Sequence, residues 1–309
     1  CYWGLNVYYC SIIKCAAAQV IHKNEVIRRR EMLRKLARME KFDLVTNIVV
    51  LVIALLFLLP LFWLLTNTFK TSTEIYQMPP DILPKHWFLG NLEELFRGQP
   101  AFQWIVNSFI VSFFTGLLSV LISALAAYGF AKLHFKGQTV LFLVVIASIM
   151  VPKETFIVPL FDVVVRLNWI DTYQAMIVPN LATGFGTFML YSYFKAIPES
   201  IRESAKIDGA NEWTVFYKLM LPIVKPGLGA LFILNFVTAW NDYLWQLLMA
   251  RSKEMKTLTI GVASLQQDVN PNIGLRVAGA AIAALPMILI FFLFQRFFTK
   301  GATAGAVKE

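Results

Sequence analysis

Charge is scarce in this chain. Only 15% of its 309 residues are Asp, Glu, Lys or Arg, while 58% are hydrophobic and 14% aromatic. Soluble globular domains carry about 25% charged residues. A shortfall of this size excludes an ordinary soluble domain and leaves an integral membrane one. Cysteine is scarcer still: Cys1, Cys10 and Cys15 all fall in the first fifteen positions, with no CxxC or CxxH spacing. A metal site or a disulfide framework is therefore not expected. His22, His86 and His134 are scattered, and no HExxH, GxSxG or GxxxxGK[ST] sequence occurs. The chain thus lacks a zinc-helix pattern, a nucleophile elbow and a phosphate loop. No catalytic residue, no metal ligand and no cofactor bound by this chain is expected.

What is abundant is the long apolar run. Residues 44–66, 107–131, 172–194 and 277–295 contain no charge at all, and residues 226–250 contain one, Asp242. Each is long enough as a helix to cross about 30 Å of hydrocarbon. A sixth run, 139–165, is broken by Pro152, Lys153, Glu154, Pro159 and Asp162. The expectation is an all-α integral membrane fold with six transmembrane helices and both termini on one side. Lysine and arginine choose the side. The arm 1–43, the turn 132–138, the loop 195–225 and the C-terminal end carry nineteen, and the opposite side carries eight. Both termini and the 195–225 loop are therefore expected to be cytoplasmic, and the net charge of +9 is topology rather than a nucleic-acid footprint.

Residues 1–43 form a basic cytoplasmic arm. Its stretch HKNEVIRRREMLRKLARMEKF reads either as an amphipathic helix on the inner leaflet or simply as an orientation signal. The first twenty-two residues do not resemble a signal peptide, since Lys14 interrupts the one apolar stretch. Opening on Cys1 rather than methionine, the sequence need not start where the natural chain does.

The loop Glu203–Pro222, ESAKIDGANEWTVFYKLMLP, is polar and helix-forming between two apolar runs. Ser200 and Glu203 have the spacing of a capping box, predicting a helix from Ile201. Gly209 offers the left-handed residue that ends it. Asn211 can cap a second helix, which Pro222 should stop. Ser204 and Ala205 would give the first helix a small-residue face for a partner protein. The alternative is an ordinary interhelical loop.

The spacing Glu203-Ser204-Ala205, three residues, Gly209, nine residues, Leu219, one residue, Leu221-Pro222 resembles the EAA signature of ATP-binding-cassette importer permeases. That signature reads Glu-Ala-Ala, three residues, Gly, nine, Ile, one, Leu-Pro; Ser204 and Leu219 depart conservatively. Asp208-Gly209-Ala210 and Phe216 look like the carbohydrate-uptake branch. The resemblance runs from about Lys41 to Glu309, and the tail from Gly301 to Lys308 is similar to the C terminus of the maltose-transporter-type second permease. It implies a permease domain over 44–300 in the cytoplasmic (inner) membrane of a bacterium or archaeon. That domain would form a sugar or oligosaccharide pathway with a homologous permease subunit. An extracytoplasmic solute-binding protein would deliver the substrate. Two separate ATPase subunits would bind ATP and Mg. Ile201–Gly209 would be the coupling helix docked on one of them, with Glu203, Ser204, Ala205, Asp208, Gly209, Ala210, Leu221 and Pro222 as coupling residues. The tail 301–309 would enter the seam between the ATPases as a thin strand through Thr303, Gly305 and Lys308; the alternative is a merely disordered end. A glycerol-phosphate or polyol importer is the runner-up within the class, and a stand-alone secondary transporter is the rival outside it.

Two polar clusters interrupt the apolar runs. Trp240-Asn241-Asp242-Tyr243-Leu244-Trp245 combines indoles, an amide, an acid and a phenol, groups that suit the apolar faces and hydroxyls of a sugar. It reads as pathway lining or as an interfacial aromatic belt. Val151-Pro152-Lys153-Glu154-Thr155 reads as a helix break lining a cavity, with Glu154 as its candidate pathway residue, or as the surfacing end of a shorter span. Lys153 and Glu154, being neighbours, point about 100° apart and do not simply pair. In the last run, the small residues from Ala278 to Ala284 offer close helix packing.

Overall fold

The computed structural model describes residues 44–265 and 272–304, with side chains described as far as residue 292. Among the described residues there is helix and no strand. They divide into two compact units between Trp63 and Leu64. Helix α1, Leu44–Asn67, supplies the first unit as far as Trp63. Its 24 residues would measure about 36 Å at 1.5 Å per residue, and its side chains are exposed along most of its length.

The second unit begins with two short helices, α2 (Ser72–Ile75) and α3 (Gly90–Arg97), then the 32-residue α4 (Ala101–Lys132). α5 (Gln138–Ile149) and α6 (Ile157–Arg166) flank a single 3-10 turn at Lys153–Phe156 and are bent by 99°. Pro152 stands at the N-cap of that turn, where its missing N–H leaves no helical bond unmade. The expected break is there. α7 (Tyr173–Ile177) and α8 (Gly184–Lys195) follow, then α9 (Glu199–Ile207) and α10 (Glu212–Thr214). A π-helical stretch Val215–Met220 leads into α11 (Leu221–Ile223) and α12 (Lys225–Trp240). α13 (Leu244–Met249), α14 (Leu258–Ser264) and the 32-residue α15 (Ile273–Ala304) complete the described residues.

Two of the expected unbroken spans are broken. The run 172–194 splits into α7 and α8 through a 3-10 turn at Val178–Asn180. Pro179 cannot donate, and Gly184 restarts the helix; apolar composition sees neither effect. α8 alone, at 12 residues, would cover about 18 Å, short of a bilayer. The run 226–250 likewise divides at Asn241–Tyr243 between α12 and α13. Asn241 Nδ2 returns to the Val237 carbonyl at 2.9 Å, competing with the helical ladder, and Asp242 Oδ1 accepts from the Trp245 amide at 3.4 Å. By length and composition α1, α4 and the first part of α15 could each cross a membrane, and the two bent pairs raise the number to five.

α4 is the pillar of the second unit. Ser108, Ser112, Thr115, Ser119 and Ser123 recur at helical spacing and are all buried, so neighbouring backbones approach closely. Asn235 of α12 donates to Ser119 Oγ at 2.9 Å. A Cβ on Gly186 of α8 would come within 2.7 Å of Ser123 Oγ, so a larger residue there would have to displace that hydroxyl. Three apolar cores lie along the pillar. Tyr128, Phe194, Phe216, Met220 and Leu231 pack near its Lys132 end. Trp104, Trp240, Leu258, Leu275 and Ala278 pack near its Ala101 end. Val111, Val164, Met176, Trp245 and Met249 form the third. Ala278 and Ala281 are buried, in keeping with the small-residue packing expected of the last run.

Candidate functional site

The polar loop folds as two helices about a tight turn. α9 starts at Glu199 with Pro198 at its N-cap and no side-chain cap, so the expected capping box is not used. Pro198 fixes the entry dihedral and needs no hydrogen bond, which moves the start two residues ahead of Ile201. Ser200 lies inside the helix, its carbonyl accepting from Ser204 Oγ at 2.7 Å. At the other end the Gly209 amide donates to the Lys206 carbonyl and the Ala210 amide to the Ala205 carbonyl, both at 3.0 Å. That is a Schellman cap, and Gly209 has φ +82°. Asn211 Oδ1 then accepts from the Thr214 amide at 2.8 Å, capping the second rod. Pro222 does not stop that rod: the wide π turn Val215–Met220 precedes it and the helix runs to Ile223. The rod meets α12 at a bend of 77°.

Exposure sorts the residues expected to couple. Glu203, Ser204, Asp208, Gly209 and Pro222 face outward. Ala205 and Ala210 are turned toward the chain's own core, with Ile201, Leu219 and Leu221 packed on the same cluster. The expected Ser204–Ala205 docking face is therefore corrected: consecutive helical residues point about 100° apart, and Ala205 belongs to the inside. The outward face of α9 instead carries Ile207, 87% exposed, beside Glu203, Ser204 and Asp208.

A charged network unforeseen in the sequence ties this loop to α4. Lys132, the last residue of α4, has a side chain only 4% exposed. Its Nζ donates to the Ile197 carbonyl at 2.6 Å and to Glu199 Oε2 at 3.3 Å. One turn earlier, Tyr128 Oη donates to Glu212 Oε2 at 2.7 Å. Arg202 bridges the two acids, Nη1 to Glu199 at 2.6 Å and Nη2 to Glu212, while Lys206 Nζ lies 2.8 Å from Glu212. Burial pushes the Glu199 carboxyl up, but the bonds from Arg202 and Lys132 outweigh it and hold it below its ordinary range. The Arg202 guanidinium is held more firmly protonated, chiefly by its bond to Glu212. Glu199 and Arg202, three apart on a helix, were a visible signal; Tyr128 and Glu212, 84 positions apart, were not.

The two polar clusters meet. Lys153 Nζ lies 3.1 Å from Asp242 Oδ2, with side chains 50% and 11% exposed. Lys153 thus pairs across the helix breaks rather than with Glu154, which is exposed. Asn241 and Tyr243 are also exposed. Trp240 and Trp245 are not: both indoles are buried. Trp240 stacks on Phe236 with centroids 5.9 Å apart, and Trp245 Nε1 donates to the Ala175 carbonyl at 2.9 Å. Trp240 is therefore a core residue and not an exposed lining group, because the last turn of α12 points it at α14 and α15. Nor do the two indoles form an exposed belt.

Among the described residues no group of three or more His, Cys, Asp or Glu side chains could hold a metal ion. α15 continues through Ala304, so Gly301–Ala304, Thr303 included, extends the helix rather than starting a thin strand; alanine favours that continuation. Gly305 and Lys308, like the arm 1–43, lie outside the described residues.

A helical pillar, broken helices meeting at an ion pair and a capped polar loop form one frame, and its sequence has counterparts. Residues 119–303 match the family of binding-protein-dependent transport system inner membrane components. The chain belongs to that family. It is a permease, a transport component rather than an enzyme, and it carries the loop and both helix breaks within the matched residues. Over 280 residues it is 36% identical to the arabinooligosaccharides transport system permease protein AraQ of Bacillus subtilis, covering 90% of this chain and 100% of that protein. It is 31% identical to the lactose transport system permease protein LacG of Rhizobium radiobacter, over 86% of this chain and 96% of that one. The sn-glycerol-3-phosphate transport system permease protein UgpE of Pectobacterium atrosepticum is 28% identical over 84% and 95%. The permease fold is shared with a chain from the crystal structure of a bacterial ABC transporter involved in the import of the acidic polysaccharide alginate. The TM-score is 0.75 at 19% identity, covering 83% of this chain and 96% of that one.

Proposed function

We propose that this permease is one of two homologous membrane subunits of an ATP-binding-cassette importer for a sugar or oligosaccharide. Residues 44–300 cross the bacterial or archaeal inner membrane six times, with α7 and α8 together as the fourth crossing and both termini cytoplasmic. The arm 1–43 orients the first span, and 301–309 is a cytoplasmic tail reaching the ATPases. Two separate ATPase subunits hold ATP and Mg and drive transport, and a solute-binding protein loads the outer side. The observation that carries the reading is α9: a capped helix whose outer face presents Ile207 and three polar residues at the end of the bundle where basic residues gather. Trp213 and Tyr217 of the same loop are exposed as well, 69% and 71%, and several large apolar side chains presented by one polar loop suit a protein partner better than water.

ATP closure of the ATPases would move α9 as a lever and rock the helices around Lys153 and Asp242. Asn241, Asp242, Tyr243 and Glu154 would line the pathway. Support for a sugar is the naming of the relatives above as oligosaccharide and lactose permeases; the glycerol-3-phosphate relative keeps a polyol-phosphate substrate as the second reading. A stand-alone secondary transporter finds no support in a family of binding-protein-dependent components. The test is reconstitution with the neighbouring permease, ATPase and binding-protein gene products. Arabinotriose, lactose and sn-glycerol-3-phosphate would be offered in parallel, with and without ATP. ATP-dependent uptake of a sugar is expected. Uptake without ATP would overturn the reading, and uptake of the phosphate alone would select the second one.

A further inference from the structure

We infer that the cytoplasmic loop passes its motion to the bundle through a charged clamp on α4, in which Tyr128 and Lys132 act as positioning residues. The inference rests on the proposed role of α9 as the lever. The covalent routes out of the loop are a short non-helical linker and a sharp bend. α9 joins α8 through Ala196, Ile197 and Pro198 alone, and the rod 212–223 joins α12 at the 77° bend. Neither joint carries one helix straight into the next, so neither alone fixes the direction of α9 on the bundle. The clamp bypasses both. Tyr128 and Lys132 stand four apart on the last turn of α4 and therefore share one face. Lys132 holds the entry to α9, at the Ile197 carbonyl and Glu199, and Tyr128 holds the entry to the second rod, at Glu212. Arg202 joins Glu199 to Glu212, so the two arms of the loop cannot open independently.

Two considerations argue against a merely structural role. The apolar contacts of Ile201, Ala205, Leu219 and Leu221 with the core around Phe194 and Phe216 already seat the loop. A lysine as buried as Lys132 is costly unless its charge and donors are matched, so the tie it makes is stiff rather than fluctuating. α4 in turn reaches α8 and α12 through its hydroxyl face and meets the 251–257 segment at its far end. There Asn107 Nδ2 donates to the Glu254 and Lys256 carbonyls at 2.6 and 2.9 Å. A push received at Lys132 thereby has a rigid, 32-residue path through the bundle.

The test uses the complete complex, with Cys1, Cys10 and Cys15 replaced by Ser and Tyr243→Cys as an exposed reporter beside the helix breaks. The rate of methanethiosulfonate labelling is measured with and without ATP, Mg and vanadate. With the clamp intact the rate should change about tenfold on trapping, within the usual range of site-to-site coupling. The double variant Tyr128→Phe/Lys132→Met leaves the Arg202 bridges in place. It should keep the ATPases bound and hydrolysing while its labelling rate changes less than about twofold. Lys132→Arg, which keeps the charge and donors, should restore most of the response. A full response in the double variant overturns the clamp, as does loss of the ATPases from it, since the network would then serve folding. No response even with the clamp intact defeats the lever reading itself. Stripping of the ATPases by Ile207→Asp, measured alongside, checks that reading independently.

Discussion

The polar loop 199–223 and the meeting point of the helix breaks are both polar interruptions of an apolar chain, yet they are built in opposite ways. At the loop, five charged side chains and a phenol form a connected network with Arg202 near its centre. At the breaks, one pair, half-exposed Lys153 and largely buried Asp242, spans the gap while Glu154, Asn241 and Tyr243 stand exposed. Redundant ties make the first region stiff, and a single tie leaves the second open to rearrangement. The proposed lever needs the one property and the proposed pathway needs the other.

The comparison breaks most sharply at Gly209. Its φ of +82° is sparsely accessible to other residues, while a Cβ there would meet nothing within 4 Å. The penalty for a side chain is therefore conformational, about 1–2 kcal/mol, and not a clash. Gly209→Val should give assembled complexes whose ATPase activity no longer answers to substrate, and Gly209→Ala should show much of the same defect. Normal substrate-stimulated ATPase activity in Gly209→Val would remove the turn from the mechanism.

A smaller effect is expected at the other region, because one exchangeable pair is at stake. Asp242→Asn leaves Lys153 without its carboxylate and takes a negative charge from just ahead of α13. Transport should fall several-fold while assembly, read by co-purification of the second permease and the ATPases, persists. The exchange Lys153→Asp/Asp242→Lys should recover part of the loss, and a double variant no better than the worse single would show that the pair does not act as one.

Next in size is the C-terminal end. Truncation after Lys300 removes the last helical residues Gly301–Ala304 and the five beyond them. Substrate-stimulated ATPase activity should drop while the permease remains inserted and paired; full-rate hydrolysis and transport would reduce the tail to a mere end. The least effect is expected from deleting Cys1–Glu31. The basic residues from Arg34 to Lys41 remain beside the first span and suffice to orient it, so uptake should stay near normal. A severe loss of assembled complex would give the arm a partner.

Composition carried the fold class because hydrocarbon-length apolar runs have few other uses. It also placed the break at Pro152, the left-handed turn at Gly209 and the cap at Asn211, each of which depends on one residue's backbone chemistry. The breaks at Asn241 and before Gly184 were missed for the same reason in reverse: hydropathy averages over single residues, Asn241 with its side-chain bond to the backbone and Pro179 with no amide to donate, that redirect the backbone locally. The inward turn of Ala205 and the burial of Trp240 depend on which neighbour each helix face meets. The Lys153–Asp242 pair and the α4 clamp join residues some 65 to 90 positions apart, and a single sequence carries no record of such distances.

The π turn at Val215–Met220 sets the phase of everything after it. A π turn is an α turn with one residue let in, so from Leu221 onward each side chain faces about 100° from where an uninterrupted α-helix begun at Glu212 would have aimed it. Alignment by a single helical wheel therefore assigns the wrong faces to the second half of the loop. It also makes this stretch the one place where the rod can lose a residue and still join both flanks in register. That loss would have a cost, since closing the turn brings the ring of Pro222 back against the carbonyl four residues earlier. Length and kink are thus traded against each other within a single turn of helix.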